Sequence, residues 1–474
     1  MKKEKSAKIL TTKNLLLYAF GIFGLQLFIG YVNSYQAQFY TSVYGANLMV
    51  VAAIILAAKI ISGLADFVIG NVIDGSNLKG GKMRPFVFIS AFPLAILSTI
   101  MFVFIPFSSK IGMYVYVSFI TVLWNVAMSF ADIPSQGLLS LLSPDANERN
   151  GAANLANIFR SVALSAPGLI VPVICLITGS DGIGKKEYLI TALFVLVVGF
   201  SLHLLMGIKV KENVANRNAE RATIKEMFAE LKSNKMIFIL FLTFMLGFGR
   251  NIQMGIAVQA AAVMIRDGVD VTIGSFRYVA AGENLAWLVG AMSAVSSTII
   301  LLTVSAINKK WGEKKTFIVF AVFGAVVALT SFVLYAVGGK IFRSVWAILI
   351  YQFLIGFSFG PNGFLPLVMT GDIVEYREWQ TGKRTEGLQF AILSMSNKLS
   401  NALSVAVGIF IVGASGYVGS LPPEAITDKM QTIVAFAYFG MLGISMLLSM
   451  IPMFRYKIDA KTKLEMRKSK PLAE

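Results

Sequence analysis

Apolar residues run along this chain in long blocks, without the alternation of a strand or the one-sided stripe of a soluble helix. Charge-free blocks span 85–109, 111–131, 188–208, 284–308, 316–339, 344–371, 399–423 and 430–454. A helix needs about 20 such residues to cross a hydrocarbon core. Four more blocks, at 14–40, 47–70, 150–178 and 236–264, carry isolated polar residues. The pattern predicts an all-α integral membrane protein with twelve transmembrane helices; the ten-residue alternating segments of a membrane barrel are missing from the pattern. The blocks fall into an N-terminal six-helix half (1–208), a polar connector (209–235) and a C-terminal six-helix half with a basic tail (236–474). In the connector, "TIKEMFAELK" puts Ile224, Phe228 and Leu231 at helical spacing, which predicts a short helix lying on the inner membrane surface or solvated as a linker. The turns "GNVIDGSNLKGGKMRPF" (70–86) and "INKKWGEKKTF" (307–317) stand at the same place in each half. This weak repeat suggests duplication.

Composition agrees with the pattern: 56% hydrophobic, 14% charged and a mean hydropathy of +0.72, against roughly 25% charged in soluble domains. The net charge of +17 is a matter of topology. With the N-terminus inside, the cytoplasmic segments hold 30 Lys and Arg and the external segments 8, so both termini are expected in the cytoplasm. The plasma membrane is the expected location. Anionic membrane lipid is the expected partner of the excess charge; no basic soluble domain is present to bind nucleic acid. The lone Cys175 excludes an intramolecular disulfide. His203, late in the sixth block among Leu and Met, reads as a helix-interface residue. No nucleotide loop, Ser–His–Asp set or metal-ligand spacing appears, so neither an enzyme nor an ATP-driven pump is expected, and no cofactor or metal.

Six charged residues sit inside segments that otherwise read as membrane spans: Lys59, Asp66, Asp132, Arg160, Arg250 and Lys398. A charge at the bilayer centre costs at least ~2.5 kcal/mol, so such residues face polar cavities and mark transport paths. Six-plus-six helices around a basic connector is the layout of major-facilitator secondary transporters.

Residues 366–402, "PLVMTGDIVEYREWQTGKRTEGLQFAILSMSNKLSNA", make the comparison specific. The segment resembles the signature of the glycoside–pentoside–hexuronide:cation symporters, the melibiose-permease-like family: an Asp–Ile–Val–Glu–Tyr–x–Glu run, Thr–Gly–x–Arg, Glu–Gly, then a Lys inside a span. Residues 19–45, 58–86 and 131–149 resemble the family's first, second and fourth spans with their loops. The resemblance implies a major-facilitator fold and alternating-access symport of a glycoside or uronide with a cation. It implies a cation site in the second span, where the family has two carboxylates one turn apart. Here Asp66 fills the second position and Ser62 replaces the first. The loss of one hard anionic ligand disfavours sodium, while a single buried carboxylate suffices for a proton; the expected coupling ion is H+, with Na+ as the alternative. Lys59 lies two helical turns before Asp66 and can pair with it. Asp132, before Ile133–Pro134, matches a fourth-span Asp near both sugar and cation, and Lys398 matches the eleventh-span Lys, a countercharge from the other half.

The expected substrate contacts are Gln26, Asn33, Asp132, Gln136, Asn157, Arg160 and Arg250. Gln26, Gln136 and Asn157 stand where melibiose-type members carry Asp, Trp and Arg, so the identity of the sugar does not carry over. Arg160 and Arg250 suit a carboxylate; Asp132, Glu283 and interhelical carbonyls are the other natural partners for them. Asp372, Glu375, Arg377, Arg384 and Glu386 suit a salt-bridged inner gate or a solvated loop. Tyr31, Tyr35, Phe364 and Trp379 offer stacking or gate surface. A monomeric carrier is expected. A lysolipid or organic-anion cargo, or a non-transporting sugar sensor, are the competing readings.

Overall fold

The computed structural model describes residues 10–466 except 77, 79, 144–145, 181–182, 214–223, 274–275, 281, 383–385, 419–420, 460–461 and 464. The helices are α1 (Thr12–Ser42), α2 (Leu48–Gly75), α3 (Arg84–Ile100), α4 (Lys110–Leu141), α5 (Ala146–Thr178), α6 (Lys185–Lys209), α7 (Ile224–Ser233), α8 (Lys235–Leu246), α9 (Ile252–Gly255), α10 (Ala257–Met264), α11 (Ala286–Trp311), α12 (Glu313–Val337), α13 (Lys340–Arg343), α14 (Val345–Thr381), α15 (Glu386–Ala414), α16 (Asp428–Ala435) and α17 (Met441–Met453). Strands β1 (Val269–Ile273) and β2 (Phe276–Ala280) form an antiparallel hairpin between α10 and α11, which the hydrophobic pattern did not announce.

Among the described residues, ten helical segments are long and apolar enough to cross a membrane, and α8 with the residues up to Gly255 adds an eleventh, bent by 47°. Helix α3 is apolar but short, at 17 residues. These segments coincide with the twelve expected blocks. Side chains at their starts accept the orphan N–H groups of the first turn: Thr11 caps α1, Asn47 α2, Ser109 α4 and Ser344 α14.

The chain divides into two compact units, residues 1–217 with 418–420, and residues 218–417 with 421–474. In the first, span 1 packs on spans 5 and 6, span 2 on 4, and span 3 on 4 and 6. In the second, span 7 packs on 11 and 12, span 8 on 10, and span 9 on 10 and 12. Adding six to each number converts one scheme into the other, so the two units share one packing plan.

Three boundaries differ from the apolar blocks. The third block was expected to run to 109, but α3 ends at Ile100. The residues beyond are apolar because Phe102 is buried against Tyr31, Phe39 and Tyr188, and Pro106 disfavours helix at Ile105. The eleventh span begins at Glu386, well before 399, because its first three turns carry a buried polar face with Gln389 and Ser396. The segment after 371 continues α14 as helix to Thr381, where Gly382 closes it in the left-handed conformation at φ 70°.

Tyr31 and Tyr35 lie wholly inside that aromatic cluster, and the Tyr31 hydroxyl donates to the Tyr188 carbonyl at 2.7 Å. They hold α1, α3 and α6 together and are closed to a ligand. Phe364 and Trp379 remain exposed. His203 is fully buried on α6, where α1 passes so closely that a side chain on Gly24 would meet the Gly199 carbonyl at 2.6 Å and the His203 backbone nitrogen at 2.9 Å. Gly24→Val should therefore force the helices apart and lower stability by about 1–3 kcal/mol, read as a lower melting temperature of the detergent-solubilised protein. Gly63→Ala, with open space around it, should leave the melt unchanged or raise it slightly.

Candidate functional site

The first unit gathers most of the residues singled out in the sequence. Lys59, Ser62 and Asp66 occupy successive turns on one face of α2. Ser62 is buried and turned onto α4: its hydroxyl donates to the Asn125 carbonyl at 2.9 Å and meets the Ser129 hydroxyl at 2.7 Å. Below this contact Ala65 and Ile69 of α2 pack with Phe130 and Ile133 of α4. The two helices therefore descend side by side in the same direction. Asp66 is about 6 Å along α2 from Ser62, and Asp132 about 4.5 Å along α4 from Ser129, at 1.5 Å per residue. One serine pair thus sets both carboxylates at nearly the same height on neighbouring helices.

Asp132 is 7% exposed. Its Oδ2 accepts from Gln136 Nε2, one turn on, at 2.6 Å, so the two residues act as one polar group. Helix α4 continues unbroken through Pro134. Arg160, on α5, is partly exposed, and its Nε is buried without an acceptor among the described residues. Arg160 and Asp132 both lie near the Tyr18 hydroxyl. Tyr18 is 2% exposed, with Leu138 of α4 and Ala152 and Ala156 of α5 in the same buried cluster. It was not anticipated, because nothing in a sequence separates a Tyr near the start of an apolar block from an interface aromatic. Gln26 and Asn33 lie two turns apart on α1, the first buried and the second half-buried. Asn157 is exposed on α5 one turn before Arg160.

Arg250 and Lys398 belong to the second unit. Arg250 sits in the short 3-10 turn Phe248–Asn251, at the break of span 7. Its Nε donates to the Gly247 carbonyl at 3.1 Å and its Nη1 to the Asn362 carbonyl at 3.0 Å. Pro366 lies four residues after Asn362 and has no N–H to offer that carbonyl. Arg250 therefore replaces a hydrogen bond that the proline removed, with one donor on an interhelical carbonyl and another on the Gly247 carbonyl of its own span. Other side chains close the same break. Ser400 donates to the Phe244 carbonyl, Ser404 to that of Phe248 and Ser445 to that of Leu246, while Ser445 accepts from the Gly249 N–H. Gln253 bonds the Tyr438 carbonyl inside a π-helical turn of span 12, Phe436–Gly440, and accepts from Gln352. Lys398 is half-buried on α15, two residues before Ser400.

The charges expected at an inner gate lie near the end of α14 and beyond it. Asp372 pairs with the tail residue Lys463 at 2.7 Å, and Lys463 also reaches Glu313 at 2.8 Å. Arg377 pairs with Glu230 of the connector helix α7 at 3.1 Å. Glu375 is exposed. Arg384 and the Glu386 side chain fall outside the described residues. The pairs seen here pin the connector and the tail to the second unit. Burial, with Asp372 and Glu313 adding to it, pushes the phenol of the tail residue Tyr456 well above its ordinary pKa. The first unit has a matching device: the Glu212 carboxylate, just past α6, accepts the backbone N–H groups of Lys82, Met83 and Arg84 at 2.8–2.9 Å. It caps α3, which has no cap of its own.

A family model described as "MFS/sugar transport protein" matches residues 17–460. The chain belongs to this family. It is 24% identical over 451 residues to the isoprimeverose transporter of Lactiplantibacillus pentosus, covering 93% of this chain and 88% of that one. It is 25% identical to the glucuronide carrier protein homolog of Escherichia coli (strain K12), covering 90% and 88%. The crystal structure of the nucleoside transporter NupG superposes with a TM-score of 0.64 at 16% identity, over 94% of this chain and 100% of the other. The fold is that of the major facilitator superfamily, and the protein is a multi-pass membrane protein.

The pairing of Arg250 with a proline-freed carbonyl is open to a double-mutant test. Arg250→Met should cost about 1–3 kcal/mol of stability by leaving a buried carbonyl unmatched. In a Pro366→Ala background, where residue 366 regains its N–H, the same change should cost about 1 kcal/mol less. Strictly additive melts would contradict the assignment.

Proposed function

We propose that this protein is a secondary active transporter that carries a glycoside, uronides included, across the plasma membrane in symport with a proton. It does so by alternating access, as a monomer with both termini in the cytoplasm. The relatives named for isoprimeverose and glucuronide support the cargo class. The observation that carries the reading is the polar set within the first unit: Arg160, its Nε buried without an acceptor among the described residues, and the Asp132–Gln136 pair. A guanidinium in a membrane span is costly unless something anionic or a polar cavity receives it. A uronide carboxylate fits its planar fork, and the amides of Gln26, Gln136 and Asn157 suit sugar hydroxyls.

The choice of proton over sodium rests on α2. Ser62 spends its hydroxyl on α4, as helix-to-helix glue. That leaves Asp66 as the one carboxylate of its helix face, with Asp132 at the same height on α4. One carboxylate that gains and loses a proton is sufficient for coupling; a sodium ion asks for several oxygens together.

The test is uptake into proteoliposomes of labelled neutral glycosides and uronides, driven separately by a proton and a sodium gradient. Arg160→Gln should raise KM for the uronide about tenfold or more, the worth of a lost charge-assisted bond, and change KM for a neutral glycoside much less. Equal effects on both classes would remove Arg160 from the carboxylate site. Uptake of no panel member under either gradient would point to an organic anion or a lipid as cargo.

A further inference from the structure

We infer that the outer face of the connector helix α7 is a docking surface for the anionic headgroup layer of the bilayer. The helix has two opposed faces. Met227, Glu230 and Leu231 are 4–7% exposed and turn inward. Glu230 fixes this face, accepting from Arg377, from Gln389 Nε2 at 2.7 Å and from Asn234 Nδ2 at 2.9 Å. Of the residues at helical spacing in the sequence, Leu231 turns inward with Glu230 while Phe228 does not. Phe228 is left 56% exposed. Lys225 and Lys232, three residues before and four after it, are exposed on the same side. The exposed Glu226 stands about 100° round the helix from Lys225.

Chain connectivity fixes the height of this face. Helix α7 ends at Ser233, Asn234 caps α8, and α8 opens span 7 at Lys235. The Lys–Phe–Lys stripe therefore lies at the membrane boundary. There a phenyl ring reaches the edge of the acyl chains while the ammonium groups meet lipid phosphates, the arrangement of an interfacial helix. The aromatic ring separates this surface from a site for soluble phosphate, which offers the ring nothing. The occupant is an anionic phospholipid surface, to which each lysine contributes about a fivefold gain in partitioning.

A spin label reads the depth directly. Ala229 is exposed beside the stripe, so the full-length Cys175→Ala, Ala229→Cys carrier is labelled and placed in phosphatidylcholine liposomes with and without phosphatidylglycerol. Phosphatidylglycerol should lower collisions with a water-soluble nickel chelate several-fold relative to oxygen. Lys225→Gln with Lys232→Gln should return the value to that in phosphatidylcholine alone, and Phe228→Ser should raise chelate access in both lipids. All three positions are exposed, so the variants should melt with the parent in detergent. Free and equal chelate access in both lipids would overturn the inference, and so would a phosphatidylglycerol effect that survives removal of both lysines.

Discussion

Hydrocarbon offers no hydrogen bonds, and this constraint explains most of what is unusual in the molecule. Every backbone group of a span must be satisfied by the protein. Regular helices do this alone, so each irregularity needs a dedicated partner. Span 7 breaks, and Ser400, Ser404, Ser445 and Arg250 close the break. Pro366 removes a donor, and Arg250 replaces it. A π turn in span 12 displaces the Tyr438 carbonyl, and Gln253 receives it. The second unit is thus locally irregular but its breaks are repaired, with its intramembrane arginine spent partly on structure.

The first unit uses its polar residues differently. Its helices are continuous, and its charges cluster. The Ser62–Ser129 contact fixes the register of α2 on α4 and so brings Asp66 and Asp132 level. Arg160 and Tyr18 add a cation and a phenol on α5 and α1. The packing plan is the same in both units, yet one gathers charged side chains on continuous helices where the other repairs broken backbone.

Much of the fold was legible because a bilayer imposes a length and a polarity on each span. The block lengths, the central connector and the excess of basic residues in alternate loops carried the layout. What failed to show was anything decided by tertiary partners. The apolar residues past Ile100 looked like helix but belong to an aromatic cluster around Phe102. The first turns of α15 fell outside the charge-free block, because their polar face carries Gln389, which donates to Glu230. At the site, Asp132 and Arg160 stood out as charges among apolar neighbours. Tyr18, Ser129 and Glu230 did not, since a Tyr, a Ser and a Glu at those places are unremarkable until a neighbour gives them a task. Arg250 was legible as a stranded charge, but its duty to the Asn362 carbonyl depends on a proline more than a hundred residues away.

The claim on which the account turns is that Asp66 carries a proton inward with the cargo. The most direct measurement is the pH of a weakly buffered, sodium-free medium around proteoliposomes when a transported glycoside is added. The account predicts that the medium turns alkaline as cargo enters. It further predicts that Asp66→Asn abolishes this while equilibrium exchange of labelled for unlabelled cargo continues. Cargo entry with no change of pH, accelerated instead by sodium, would contradict it.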